Sequence, residues 1–394
     1  MRVTFLIGNG FDINAGLDTR YEDFIKYYHA QPSENNIIDI FKNNLKTDLN
    51  KWSDFETTLG KETINPPIDT VDAYNTCVED FEINLAAYLK LQESRINFEI
   101  VGDEIAECMR AALNNFYVRG ISKKDQQTLK NNHASHWLSD CIFEFISFNY
   151  TNVLDRCIAI AKSKGPLNSR GNVNNPTHPF TDSIGDEVLH IHGTTDEGLI
   201  LGVNDESQIS NTKLLESTKF KHSAIKPIIN SNFGSLIDEQ AIQVINNSNV
   251  ICVYGTSLGI TDRLWWNSIL IWLKSNAHNS LIIFPFVENL RLVLPGNVIN
   301  KIADIKDQFF NSADATEEEI QQTKDQIFVS IKQVLFDFDT IKVKSSYMSA
   351  LIKYSQEMSN DELYAVYNYN QQISDVQENN EHSRELVRLS IPMN

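Results

Sequence analysis

The chain has 394 residues, with 34 basic against 52 acidic side chains and a formal net charge of −18. An apolar fraction of 42% is that of a folded globular chain, and the length allows two or three domains at about 150 residues each. The charge repels a phosphate backbone or an anionic bilayer, so neither nucleic acid nor membrane is expected as a partner.

Met1–Gly8 carries too short an apolar run for a secretory leader, and no stretch reaches the roughly 18 apolar residues of a membrane span. A cytoplasmic protein is expected. Cys77, Cys108, Cys141, Cys157 and Cys252 are odd in number and include no C-x-x-C pair. A disulfide framework and a cysteine-built zinc module are both disfavoured; buried, reduced thiols and no metal are expected.

In chain order, Val3–Ile7 reads as a buried strand running into Gly8-Asn9-Gly10-Phe11-Asp12 and then Gly16-Leu17. Such a turn is either a structural tight turn or a diphosphate cradle. A dehydrogenase fingerprint would need a glycine where Ile13 stands, so hydride transfer is disfavoured. Next come Trp52-Ser53-Asp54-Phe55-Glu56, whose acids read as a solvated helix start, with Glu56 a possible cleft residue. Helical periodicity follows around Asp69–Leu91, Phe98–Tyr117 and Lys123–Leu138. Together these predict a helical insertion over about 55–140.

A second strand, Ile142–Phe148, ends in Asn149-Tyr150-Thr151-Asn152, where Asn149 is either a turn residue or a functional amide. The loop with Gly165, Pro166, Gly171, Pro176 and Pro179 reads as a mobile cover. The third strand, Val188–His192, ends in His192-Gly193. His190 and His192 fall on one face of it, which leaves acid/base work and metal ligation both open. Val250–Tyr254 leads into Gly255-Thr256-Ser257-Leu258-Gly259, and Asp262-Arg263 opens a helix with Leu264, Trp265, Ile269, Trp272 and Leu273 as its buried stripe. Leu281–Phe286 is the fifth strand. Thr316 and Glu319 have capping-box spacing for an amphipathic helix over Thr316–Phe336, with fraying after Asn379.

Continuous apolar strands alternating with helices predict an α/β fold: an open, doubly wound, mostly parallel sheet over 1–300, with a helical C-terminal module over 301–394. Only 16 glycines are present, about 4% against a usual ~7%, yet seven cluster beside strands. In such sheets ligands bind outside the carboxyl ends of the strands.

Gly8–Asp12 with Gly16-Leu17, Asn149, His192-Gly193 and Gly255–Leu258 resemble, in order and strand position, the NAD-binding motifs of sirtuins. The Gly8–Asp12 start, Trp52–Glu56, Phe148–Thr151, His192-Gly193 and Gly255–Asp262 are also similar to the AbiH family of bacterial abortive-infection proteins over about 1–290. The resemblance implies a Rossmann-like, sirtuin-like fold and NAD as substrate rather than cofactor. The cysteine-bound zinc module of protein deacylases is absent, and Asn9 and Asp12 replace small residues of the sirtuin turn. The implied activity is therefore NAD hydrolysis to nicotinamide and ADP-ribose, which depletes the cofactor of an infected cell.

Since the leaving nicotinamide is already a pyridinium, orientation and water placement should dominate the chemistry. Asn149 is assigned to hold a ribose hydroxyl or the attacking water, and His192 to accept a proton from either. Gly8, Asn9, Gly10, Phe11 and Asp12 would hold the diphosphate; Gly193, Gly255, Thr256, Ser257, Leu258 and Asp262 complete the expected NAD site. A homo-oligomer and a phage-derived or nucleotide trigger are expected, because an ungated NAD hydrolase would poison its host. The alternatives are a metal-dependent phosphoesterase or nuclease using His190, His192 and acids such as Asp12, and a nucleotide sensor without turnover.

Overall fold

Along β1 (Arg2–Ile7) the side chains of Val3, Phe5 and Ile7 enter one core and Leu6 the opposite one, the period-two pattern of a strand buried on both faces. This strand is the axis of a computed structural model that describes residues 1–345 except 46–51, 135–138, 171–176, 178, 233–235, 286–293, 332–333 and 343. The chain separates into Met1–Lys342 and Val343–Asn394, and the α/β fold occupies the first unit.

After β1 comes the short α1 (Gly10–Asn14), then α2 (Tyr21–Ala30), α3 (Asn36–Asn44), α4 (Trp52–Lys61) and α5 (Val71–Glu93). Asn35 and Thr70 cap α3 and α5 by accepting hydrogen bonds from their first-turn amides. Helices α2 to α5 close on an aromatic core of their own, in which Phe55 stacks on Phe81 at 4.6 Å and Phe24 meets Phe81 edge-on at 4.9 Å. In contrast, α6 (Gly102–Asn115) and α7 (Lys123–Asn132) return to the sheet, where Met109, Leu113 and Leu129 share a core with Phe5 and Phe143. The stretch expected to be one insertion over 55–140 thus splits: its first half belongs to the aromatic lobe and its second half is a covering layer of the sheet.

The chain continues as β2 (Cys141–Ser147), α8 (Val153–Ser163), β3 (Asn168–Arg170), β4 (Phe180–His190), α9 (Thr218–Ala224), α10 (Lys226–Asn232) and α11 (Ile237–Asn247). Then follow β5 (Val250–Tyr254), α12 (Arg263–Ser275), β6 (Ser280–Phe284), α13 (Pro295–Ser312), α14 (Glu317–Thr323) and β7 (Ile327–Val329). The sheet order is β3-β4-β2-β1-β5-β6-β7, with β4 to β7 forming a parallel run and β3 antiparallel on the β4 edge. This is the open, doubly wound α/β sheet predicted from the apolar runs. Its opposite face is covered by α11, α12 and α13, with Trp265, Trp266, Ile269, Trp272 and Leu273 buried.

Three expectations change. The third strand starts at Phe180 and stops at His190, so His192 lies beyond it; its first half is partly exposed and polar, with a register shift opposite Phe143–Phe145, and offers no apolar run to read. The helix expected over Thr316–Phe336 ends at Thr323, although the capping box of Thr316 and Glu319 forms. Beyond it β7 pairs with β6, and Phe336 and Phe338 pack on Phe11, each at 5.1 Å. The expected boundary at 300 therefore falls inside α13, and the sheet unit runs on to Lys342. Gly171, Pro176, Leu138, Phe286 and the tail after Asn379 lie outside the described residues.

Candidate functional site

Strand order reverses between β1 and β5: the chain leaves β1 towards β2 and β4, and later returns to the other side as β5, β6 and β7. A crevice opens at such a switch point. Here its floor is made by two glycine turns in backbone contact. The Gly8 and Gly10 amides donate to the carbonyls of Tyr254 and Gly255 at 2.9 and 2.8 Å. A Cβ on Gly10 would lie 2.5 Å from the Gly255 Cα, and Gly255 adopts φ +69°. These glycines are required for close approach of two chain segments. The Gly8 and Gly10 amides, expected to cradle a diphosphate, are engaged in that contact. Nor does the Asn9 side chain face a ligand: it exchanges hydrogen bonds with Thr19, donating to its carbonyl at 2.8 Å and accepting from its hydroxyl at 2.6 Å.

Above the turns lies a cleft of about 790 Å³. Of the residues singled out from sequence, Gly8, Asn9, Gly10, Asp12, Asn149, His192, Gly255, Thr256, Ser257, Leu258 and Asp262 all line it, brought together from four separate segments. Phe11 does not. Its ring is fully buried between Tyr254, Phe336 and Phe338, on the sheet's other side of the turn. Gly193 is also a structural residue: with φ +70°, it lies where a Cβ would overlap the Gly198 carbonyl at 1.8 Å. Arg20 and Lys301 supply positive charge on the cleft wall.

Asn149 follows β2 and is held by its backbone. Its amide nitrogen donates to Ser147 Oγ at 3.1 Å, and its carbonyl pairs with His190 Nδ1 at 3.1 Å. The other ring nitrogen of His190 meets Asp155 at 2.9 Å. Burial depresses the His190 pKa, but the Asp155 carboxylate more than restores it, so the net direction is up. His190 is thus a strut under Asn149. The side-chain amide of Asn149, 4% exposed, has neither Oδ1 nor Nδ2 hydrogen-bonded among the described residues. Next to it Asp12 is 1% exposed and accepts a 2.6 Å hydrogen bond from the Thr151 hydroxyl through Oδ2. Burial pushes its pKa from 3.8 up to about 7, against the opposing influence of the Thr151 hydroxyl and, more weakly, of the neighbouring Asn149 side-chain amide.

His192 faces a different set of groups, so the two histidines do not converge as a ligand pair. Its Nε2 lies 3.2 Å from Asp262 and 3.5 Å from the Lys226 ammonium. Lys226 in turn sits 2.8 Å from Glu56 and 3.5 Å from Asp262, and both Lys226 and Glu56 are buried. Burial alone would raise the Asp262 pKa, but Lys226 and His192 hold it below the usual carboxylate range. For Glu56 burial prevails over Lys226, and the pKa moves up. Lys226 escaped the sequence reading altogether. It opens α10, a helix without glycine or apolar-run signals, and its partner Glu56 is 170 positions away. Phe148 fixes the His192 ring edge-on at 5.6 Å and stacks on Trp266, whose indole N–H donates to the Gly259 carbonyl at 2.8 Å. Among the described residues no group of three or more His, Cys, Asp or Glu side chains is arranged to hold a metal ion.

Fold and cleft together define an open, parallel α/β protein of Rossmann-like type with a polar, partly acidic cleft at its switch point. The chain matches the family described as "Bacteriophage abortive infection AbiH" over residues 4–284, and it belongs to that family. The matched stretch runs from within β1 to the end of β6 and takes in every residue of the cleft discussed so far except Lys301. The family assigns it a role in abortive infection by bacteriophage. No curated protein and no solved structure matches the chain. No helix among the described residues is long and apolar enough to cross a membrane.

Proposed function

We propose that the cleft binds NAD and hydrolyses its nicotinamide–ribose bond, so that an infected cell loses the cofactor. The observation that carries this reading is the meeting of Asn149 and His192 with two packed glycine turns at the switch point of the sheet. These are the positions that carry the resemblance to sirtuin NAD-binding motifs. The cleft lining supports it too: bond cleavage develops positive charge on the ribose, and among the lining acids Asp262 is held ionised by Lys226 and His192.

In this reading the free amide of Asn149 orients a ribose hydroxyl or the attacking water. His192 accepts the ribose hydroxyl proton through Nδ1, the ring nitrogen that Asp262 and Lys226 do not engage. The Thr256 hydroxyl, buried and without a partner among the described residues, meets a ribose from the Gly255–Leu258 turn. Arg20 and Lys301 take the diphosphate in place of the spent glycine amides. A phage-derived component or a nucleotide gates the activity, and the chain works as a homo-oligomer without nucleic acid or membrane. The test is cellular NAD, measured by chromatography through a phage infection in cells carrying the wild-type chain or Asn149→Ala. NAD should collapse only with the wild type. An equal NAD level in both, with protection intact, would refute the reading.

A further inference from the structure

The acids Asp12, Glu56 and Asp262 line the cleft, and two of them share one cation. Glu56 and Asp262 both face Lys226. Asp12 makes no ion pair among the described residues, its Oδ1 has no hydrogen-bond partner there, and the residue is 1% exposed. The charged groups closest in influence are Glu93 on α5 and His190 on β4, which act in opposite directions. Thr151 holds Oδ2 and so fixes the carboxyl plane. Beside it, the Asn149 amide is near enough to lower the Asp12 pKa, yet neither of its polar atoms completes a hydrogen bond among the described residues. Buried polar atoms without partners are costly, and three of them on two adjacent side chains of one cleft mark a place built to be completed by a small polar molecule.

We infer that Asp12 is a catalytic residue of the hydrolysis: Asn149 holds the attacking water, and Asp12 Oδ1 takes its proton. The inference rests on the proposed reading of the cleft as an NAD hydrolase. As the C1′–N bond breaks, its electron pair leaves with nicotinamide. The water oxygen bonds to C1′, one water proton passes to Asp12, and Asp12 returns it to solvent. His192 serves the ribose hydroxyl and Asp12 the water, so the two proton transfers use separate groups. A carboxyl pushed by burial to about 7 is ionised in part at neutral pH, which suits a base that must be reset each cycle.

The experiment is nicotinamide release between pH 5 and 9 by the full-length wild type, Asp12→Asn and Thr151→Val, in buffer and in phage-infected extract. Asp12→Asn keeps an acceptor for Thr151 but cannot take a proton. Its kcat should fall ~10²–10⁴-fold with KM for NAD unchanged. Thr151→Val should move the rise of rate to higher pH, because a hydrogen bond that opposes burial is gone. A wild-type rate and pH profile in Asp12→Asn, or an unmoved rise in Thr151→Val, overturns the role of Asp12 while leaving NAD hydrolysis standing. A wild type that releases no nicotinamide in either medium overturns both. If Asp12→Asn is misfolded by circular dichroism, the Thr151→Val profile decides.

Discussion

Replacing Asp12 by Asn should stabilise the fold at neutral pH, and the size of the effect follows from burial. In the unfolded chain Asp12 ionises at its ordinary 3.8, whereas in the folded cleft it keeps its proton up to about 7. Between these values the folded state binds more protons, so wild-type stability falls as pH rises, by ~1.4 kcal/mol per pH unit for this one group. Below pH 4 the carboxyl is neutral in both states and the penalty is absent; above 7 it is ionised in both and the penalty is constant, at about 4 kcal/mol. Asn carries no charge and escapes it. Urea unfolding of both proteins from pH 4 to 8, followed by the fluorescence of the buried α12 tryptophans, reads the difference. The gap in favour of Asp12→Asn should open from pH 4 to 7 and then level off. Two stability curves that run parallel over that range would refute the burial argument, whatever the variant does to activity.

Lys226→Met should cost about 3–5 kcal/mol in the same assay, since it strands Glu56 and Asp262 in the interior, while Glu56→Gln should cost less because Asp262 remains a partner for the ammonium. Gly10→Ala should lose about 1–3 kcal/mol, because its Cβ meets the Gly255 backbone at 2.5 Å, and calorimetry should show unfolding at a lower temperature. His190→Ala removes the donors to the Asn149 carbonyl and to Asp155; it should cut nicotinamide release through misplacement of Asn149 while NAD binding, read by titration calorimetry, is kept. Because the His190 pKa is raised in the fold, its stabilisation is complete below about 6.5 and is lost as pH climbs past the folded-state value, so the stability deficit of His190→Ala should be larger at pH 6 than at pH 9.

Much of the fold was legible because its central strands are buried on both faces and so are written as unbroken apolar runs: β1, β2, β5 and β6 fall within a residue or two of the expected bounds. The edges were not. The long β4 is half exposed, and β7 is a three-residue strand, Ile327–Val329, that only its pairing with β6 makes a strand. At the site, most of the glycines and polar residues read at strand ends meet in one cleft, yet their roles are set by distant partners. Gly10 reads as a ligand cradle until Gly255 is seen against it, and Phe11 as a cleft residue until Phe336 and Phe338 close over it. His192 and Asp262 were visible, but the Glu56–Lys226 pair that flanks them joins α4 to α10, a contact that no local spacing encodes. The charge state of Asp12 was equally hidden, since it follows from the burial of a residue in a polar-looking turn.

The most direct test of the central claim is nicotinamide release from NAD by the purified full-length chain, alone and with phage lysate, compared with Asn149→Ala and His192→Ala. The account predicts stoichiometric nicotinamide and ADP-ribose from the wild type, and a loss of ~10²-fold or more in each variant with NAD still bound. Bound NAD that stays intact with the wild type under both conditions would contradict it.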